Sequence, residues 1–204
     1  MPFGARLHPG GGAVFRLWAP AARQVELAIE TGGPSPELHA SQADAKGWWE
    51  CRVPHAAAGT LYRWRIDGDL LVPDPASRHN PEGPHGPSCV VDPGQFDWNG
   101  AWSGRPWHET VLYELHVGTF TPEGTFAAAQ GRLAELADLG VTAVELMPVA
   151  AFPGRVGWGY AGVLPHAHHE ARLHLVGDLL AELAQVDLAR LVGAVLRPHH
   201  RGHR

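Results

Sequence analysis

The sequence predicts a β-sandwich followed by the first βαβ part of a (β/α)8 barrel, left incomplete. Three observations carry the prediction. Four short segments within the first 90 or so residues alternate apolar and polar residues between turn-rich gaps, the pattern of antiparallel strands with one face buried. Near Val111 the pattern changes to a strand, an amphipathic helix and a second strand. The chain then ends at Arg204, 44 residues beyond Tyr160, whereas a complete parallel barrel takes roughly 250 residues.

The four sandwich segments are Val14 to Trp18 (VFRLW), Val25 to Ile29 (VELAI), Trp48 to Val53 (WWECRV) and Tyr62 to Ile66 (YRWRI). Gly32-Gly33 and Pro34 to Pro36 mark a loop, and Asp67-Gly68, placed just after a strand, predicts a hairpin turn. From Val72 to Pro93 the composition shifts to Pro, Gly, Asp and His, which cannot sustain a regular ladder, so a long ordered loop or linker is expected. Phe126 to Leu139 has apolar residues near helical spacing, with Gly140 where a helix cap would stand. Val141 to Val149 is a nearly continuous apolar run containing Glu145, as expected of a strand covered on both faces. A strand, crossover helix and parallel strand result. Residues 175–196 have apolar spacing for one or two helices. The expected organisation is a sandwich over residues 1–93, a linker over 94–107, the start of a barrel over 108–163 and a divergent tail over 164–204.

Composition narrows the function. Apolar residues make up 45% of the chain, charged residues 18%, and the formal net charge is −5, so no nucleic-acid footprint is present. Eight Trp, 25 Gly and 18 Pro supply turns and flat aromatic surface, which suits neutral sugars. No stretch of about 18 uncharged apolar residues occurs and the N-terminus has no secretory pattern, so no membrane association and a cytoplasmic location are expected. Cys51 and Cys89 are the two cysteines, expected as thiols in a reducing compartment.

Three stretches then become specific: DPASRHNPEGPHGPS (Asp74 to Ser88), YELHVGTFTPEGTF (Tyr113 to Phe126) and ELMPVAAFPGRVGWGY (Glu145 to Tyr160). In this order they resemble the malto-oligosyltrehalose trehalohydrolase family of the α-amylase superfamily of glycoside hydrolases, over about residues 1–163. The resemblance implies an early-set immunoglobulin-like sandwich joined to a catalytic barrel. It implies hydrolysis of the α-1,4 bond next to the trehalose unit of maltooligosyltrehalose, releasing trehalose in its biosynthesis from α-glucans. Such cleavage needs two carboxyl groups about 5–5.5 Å apart in a retaining enzyme. In the superfamily these come from later barrel strands, whose motifs are missing here. Ala161 stands where the family pattern has an aspartate, and the sequence departs from the pattern after about Leu164. The expectation is a truncated, inactive chain, with a frameshift near the codons for residues 161–172. An α-glucan branching enzyme fragment and a non-catalytic α-glucan-binding module are the alternatives.

Individual residues divide the same way. Glu114 and Glu145 lie on strands expected to be neighbours, but mid-strand, whereas barrel catalysis is built at C-terminal strand ends. They are therefore read as hydrogen-bonding or ion-paired groups near the barrel interior, and no catalytic residue is assigned. Trp158 and Tyr160, in a glycine-flanked loop after the second strand, are the candidates for stacking on a glucose ring, Tyr160 in particular through the resemblance. His116, near the end of the first strand, is a third candidate for substrate contact, weighed against a packing role. Trp48, Trp49 and Trp64 offer a glucan platform on the sandwich, but alternation puts at least one of Trp48 and Trp49 inside, and core packing is expected for the set. Seven of the 14 histidines fall between His166 and His203. His166, His168 and His169 with Glu170 carry zinc-type ligands, yet adjacent histidines on an unpatterned segment define no geometry, so neither a metal site nor a cofactor is expected. The partner implied is an α-glucan or maltooligosyltrehalose. A lone strand, helix and strand would leave apolar faces uncovered and prone to association.

Overall fold

The computed structural model describes residues 3–95, 105–154, 157 and 159–168. They form two compact units, one holding the described residues of 1–93 and 150–168 and the other those of 94–149.

The first unit is an antiparallel sandwich. Its strands are β1 (Gly4–Leu7), β2 (Ala13–Trp18), β3 (Val25–Ile29), β4 (Glu37–Ala40), β5 (Gln42–Ala43), β6 (Trp48–Val53), β7 (Leu61–Ile66), β8 (Leu70–Val72) and β9 (Ser88–Cys89). One sheet runs β1-β2-β6-β5; the other runs β4-β3-β7-β8, with β9 also pairing to β7. All four predicted strands are present as β2, β3, β6 and β7, each within a residue of its expected bounds. Alternation along β2 turns Ala13, Phe15 and Leu17 inward, where they meet Val25, Leu27, Cys51, Val53, Tyr62 and Trp64. The Phe15 and Tyr62 rings meet edge to face, 4.8 Å apart. The predicted Asp67-Gly68 turn closes β7 onto β8 with both residues at positive φ, 50° and 92°, as a type I′ turn requires. The Asp67 carboxylate accepts the Arg23 and Gln24 amides at 2.8 and 2.9 Å, which hold its carboxyl below the usual carboxylate range.

The segment after β8 is ordered by polar rather than apolar contacts. Asp74 is fully buried and accepts the Tyr62 hydroxyl at 2.8 Å and the Ala76 amide at 2.8 Å, while its own amide donates to Ser88 Oγ at 2.9 Å. The Cys89 amide donates to the His79 carbonyl at 2.8 Å and Arg78 donates to the Ala5 carbonyl at 2.9 Å. Each buried polar group joined in this way escapes its desolvation penalty, so a stretch without strand periodicity is nonetheless fixed against the sandwich.

The second unit contains β10 (Leu112–Leu115), α1 (Val117–Phe120), α2 (Phe126–Gly131), α3 (Leu133–Asp138) and β11 (Ala143–Leu146). Strands β10 and β11 pair in parallel, with Glu114 opposite Glu145, the neighbourhood expected from sequence. The helix expected over residues 126–139 is instead two short helices. Gly131, a poor helix former, ends α2, and Arg132 at φ −100° and ψ −3° starts α3. Thr125 caps α2 by accepting the Ala128 amide at 3.2 Å. The predicted Gly140 cap is a Schellman motif: Gly140 donates to the Ala137 carbonyl and Val141 to the Leu136 carbonyl, both at 3.0 Å. Leu115, Val117, Phe126, Leu136 and Val141 form the local core.

The expected double coverage of the second strand is not found. β11 spans four residues of the apolar run, and Glu145 and Leu146 are exposed, because its sheet has two strands among the described residues. Glu114 is exposed as well, and neither glutamate makes an ion pair among the described residues.

Beyond β11, β12 (Ala150–Ala151) and β13 (Leu164–His168) pair antiparallel around Ala151, Leu164 and Ala167 and belong to the first unit. The histidine-rich segment thus begins as a strand rather than as an unpatterned stretch, with His166 close to Phe3 at 6.2 Å between ring centroids. His169, Glu170 and residues 175–196 lie outside the described residues, as does most of the tryptophan-rich stretch 96–107. Among the described residues no helix is long and apolar enough to cross a membrane.

Candidate functional site

The outer face of the β1-β2-β6-β5 sheet carries a concave surface lined by aromatic rings. Because Phe15 and Leu17 point inward, Arg16 and Trp18 point outward, and the antiparallel register sets Trp18 opposite Trp48 and Arg16 opposite Glu50. Directly opposed residues share a face, so two tryptophans stand side by side on it. A groove of about 350 Å³ opens there, lined by Phe3, Arg16, Trp18, Trp48 and Pro75, with Asp74, Leu17 and Ala76 beneath.

Each ring in the groove is held in place. Trp18 is 59% exposed, yet its indole N–H donates to the Lys46 carbonyl at 3.1 Å. That carbonyl is positioned by the turn before β6, where Asp44 accepts the Lys46 and Trp48 amides at 2.7 and 3.0 Å. These bonds, the one to Trp48 foremost, hold the Asp44 carboxyl below the usual carboxylate range. The same turn needs Gly47, at φ +83°, since a Cβ there would stand 2.6 Å from Pro20 Cβ. Trp48 is half-buried, nearly parallel to Phe3 (15°, centroids 6.1 Å apart), and the Arg16 guanidinium lies 5.0 Å from its ring. Arg16 also pairs with Glu50 at 3.2 Å. Flat apolar rings beside a fixed guanidinium present a stacking surface for the C–H face of a sugar ring with hydrogen-bond donors at its margin.

This arrangement corrects the reading of the tryptophans as a core set. Trp64 is fully buried and Trp49 is packed against the core, its N–H donating to the Ala19 carbonyl at 3.0 Å. Trp48, one residue earlier on the same strand, necessarily faces the other way. Trp18 and Phe3 were not singled out from sequence. The outward position of Trp18 was readable from its alternation with Phe15 and Leu17, but its partnership with Trp48 depends on a pairing between distant strands.

The three candidates for substrate contact fall as follows. Tyr160 is 72% exposed in the loop between β12 and β13. That loop runs close to Phe152, where a Cβ on Gly157 would come within 2.5 Å of the phenyl ring. Trp158 lies outside the described residues. His116, half-buried, caps α1: its carbonyl accepts the Thr119 and Phe120 amides at 3.0 Å, and its Nδ1 shares a hydrogen bond with the Thr119 hydroxyl at 3.2 Å. His116 and Tyr160 belong to different units.

Residues 2–77 match the carbohydrate-binding module 48 family (isoamylase N-terminal domain). The chain is 43% identical over 168 residues to the malto-oligosyltrehalose trehalohydrolase of Saccharolobus solfataricus, covering 82% of this chain and 29% of that protein. It is 45% identical over 192 residues to that of Deinococcus radiodurans, covering 93% and 30%. Among solved structures, an α-amylase-like protein of Salmonella typhimurium matches with a TM-score of 0.77 at 40% identity, over 95% of this chain and 31% of that one. The chain therefore spans about three tenths of the length of these relatives. On the sandwich, the βαβ unit and these likenesses together, the chain is a relative of the malto-oligosyltrehalose trehalohydrolases and of an α-amylase-like protein over about three tenths of their length.

Proposed function

We propose that the protein serves the hydrolysis of maltooligosyltrehalose at the α-1,4 bond next to the trehalose unit. In this reading the 204 residues supply glucan contact without bond cleavage. The likeness to trehalohydrolases across four fifths or more of the chain carries the assignment. The division of labour follows from the carboxylates. Glycoside cleavage by retention takes an acid and a nucleophile flanking the bond, about 5–5.5 Å apart, at the C-terminal ends of barrel strands. Glu114 and Glu145 are opposed across β10 and β11, but at the third position of each four-residue strand.

The sandwich groove is the contact surface, with Trp18 and Trp48 under the sugar and Arg16 at its edge; Tyr160, Trp158 and His116 are further candidates for substrate contact. The setting is cytoplasmic, in keeping with Cys51 and Cys89 as unbridged thiols.

Affinity electrophoresis in amylopectin tests the contact reading. The chain is expected to be retarded and Trp48→Ala to lose most of that retardation; unretarded migration of the parent chain removes the proposal. Incubation with maltooligosyltrehalose is expected to give no trehalose above blank, and release above blank would overturn the inactivity of this chain.

A further inference from the structure

Edge strand β4 has its polarity reversed. In the register with β3, Glu37 lies opposite Ile29 and His39 opposite Leu27. Ile29 and Leu27 are 5% and 0% exposed and point into the sandwich, and opposed residues share a face. Glu37 and His39 therefore face the sandwich side, while Leu38 is turned outward and 41% exposed. Into the same place comes His55, from the turn that follows β6 in the other sheet. His39 Nε2 stands 3.1 Å from Glu37 Oε1 and His55 Nε2 stands 3.3 Å from Glu37 Oε2. One potential ligand atom from each of the three residues lies within 4.8 Å of the other two.

We propose that Glu37, His39 and His55 form a site for a divalent metal ion of the zinc class, which ties edge strand β4 to the opposite sheet. Two imidazoles and a carboxylate are a recurrent zinc ligand set, and bonds of about 2.0–2.1 Å in tetrahedral geometry put ligand atoms roughly 3.3 Å apart. The two histidines approach different oxygens of Glu37, at 3.1 and 3.3 Å, and one ligand atom from each residue lies within 4.8 Å of the others, so a small closing of side chains brings the set to that spacing. A second observation points to a ligand. His39 Nε2 is buried and makes no hydrogen bond, its approach to Glu37 having the wrong geometry for one. Buried polar atoms are nearly always satisfied, and a metal supplies the partner this nitrogen lacks. The side chains of Glu37 and His55 are 46% and 57% exposed, which leaves a side open for entry of the ion and for water as fourth ligand. The competing account is that inward-pointing polar residues merely guard an open sheet edge; it predicts no metal affinity.

Zinc titration of the chelator-treated full chain, followed by calorimetry and by thermal melts, separates the two. Because half of the histidines lie in the C-terminal segment, the decisive comparison is between variants. His39→Ala and His55→Ala are each expected to weaken zinc binding at least tenfold and to abolish the zinc-dependent rise in Tm that linkage requires. A chain with His199, His200 and His203 all changed to Ala is expected to retain both. His55 sits in an exposed turn, so its variant reports even if His39→Ala fails to fold. Zinc affinity and Tm response unchanged in His55→Ala, or lost only in the tail variant, would overturn the proposal.

Discussion

In the sandwich, every strand of the central pairs finds a partner surface: Phe15, Leu27, Val53 and Trp64 have no exposed area at all. In the strand–helix–strand unit the local core is real, with Val117 fully buried, but the sheet at its centre has two strands among the described residues. Val111, Leu112 and Leu146 consequently remain 53%, 49% and 41% exposed. The difference follows from architecture. Two antiparallel sheets bury their inner faces against each other, whereas a parallel sheet normally has both faces covered, and one crossover cannot cover both faces of its own strands. The first unit has the marks of a closed core and the second those of an opening.

The largest expected effect comes from breaking the closed side. Trp64→Ala removes a fully buried indole and should cost about 3–5 kcal/mol in urea unfolding of the chain; a loss below about 1 kcal/mol would mean that the sandwich core tolerates a hole of that size and is not close-packed.

Asp74→Ala comes next. It strips the acceptor from the Tyr62 hydroxyl and the Ala76 amide, and leaving a buried donor unsatisfied costs about 1–3 kcal/mol. Asp74 also carries a pH signature. Burial pushes its carboxyl above the ordinary value of 3.8, against the opposing bonds from Ala76 and Tyr62. The unfolded chain thus releases this proton at a lower pH than the folded chain, so the group's contribution is fully present below 3.8 and is lost as pH rises through the folded value. Asp74→Asn should lack that decline, so the stability difference between parent and variant melts should change across the acid range; a difference that stays flat with pH would show that Asp74 titrates in the folded chain as it does in the unfolded one.

What was legible in the sequence and what was not divides along a physical line. Strands β2, β3, β6 and β7 were readable because their alternation is apolar inward, and the Asp67-Gly68 turn and Gly140 cap because their backbone geometry restricts residue choice. Strand β4 was hidden because its inward residues are Glu37 and His39, so the apolar pattern points the wrong way. The ordering of residues 74–89 was hidden because it rests on buried hydrogen bonds, which have no periodicity. The Trp18–Trp48 groove and the Glu37–His39–His55 cluster both need the pairing of distant strands before their residues become neighbours. The histidine-rich tail drew the metal reading to itself by abundance, whereas the cluster that meets the geometric test uses histidines 16 positions apart.

The smallest expected effect tests the open side. Leu112→Gln and Leu146→Gln replace side chains that are 49% and 41% exposed, so little apolar contact is lost, and each should change stability by no more than about 0.5 kcal/mol. Association should respond more than stability, because exposed apolar side chains on the uncovered faces of a sheet favour self-contact. Sedimentation velocity of the double variant is expected to show less self-association than the parent chain at equal concentration. A stability loss of the size expected for Trp64→Ala would mean that these leucines are packed in solution, and the contrast between a closed sandwich and an open parallel pair would fall.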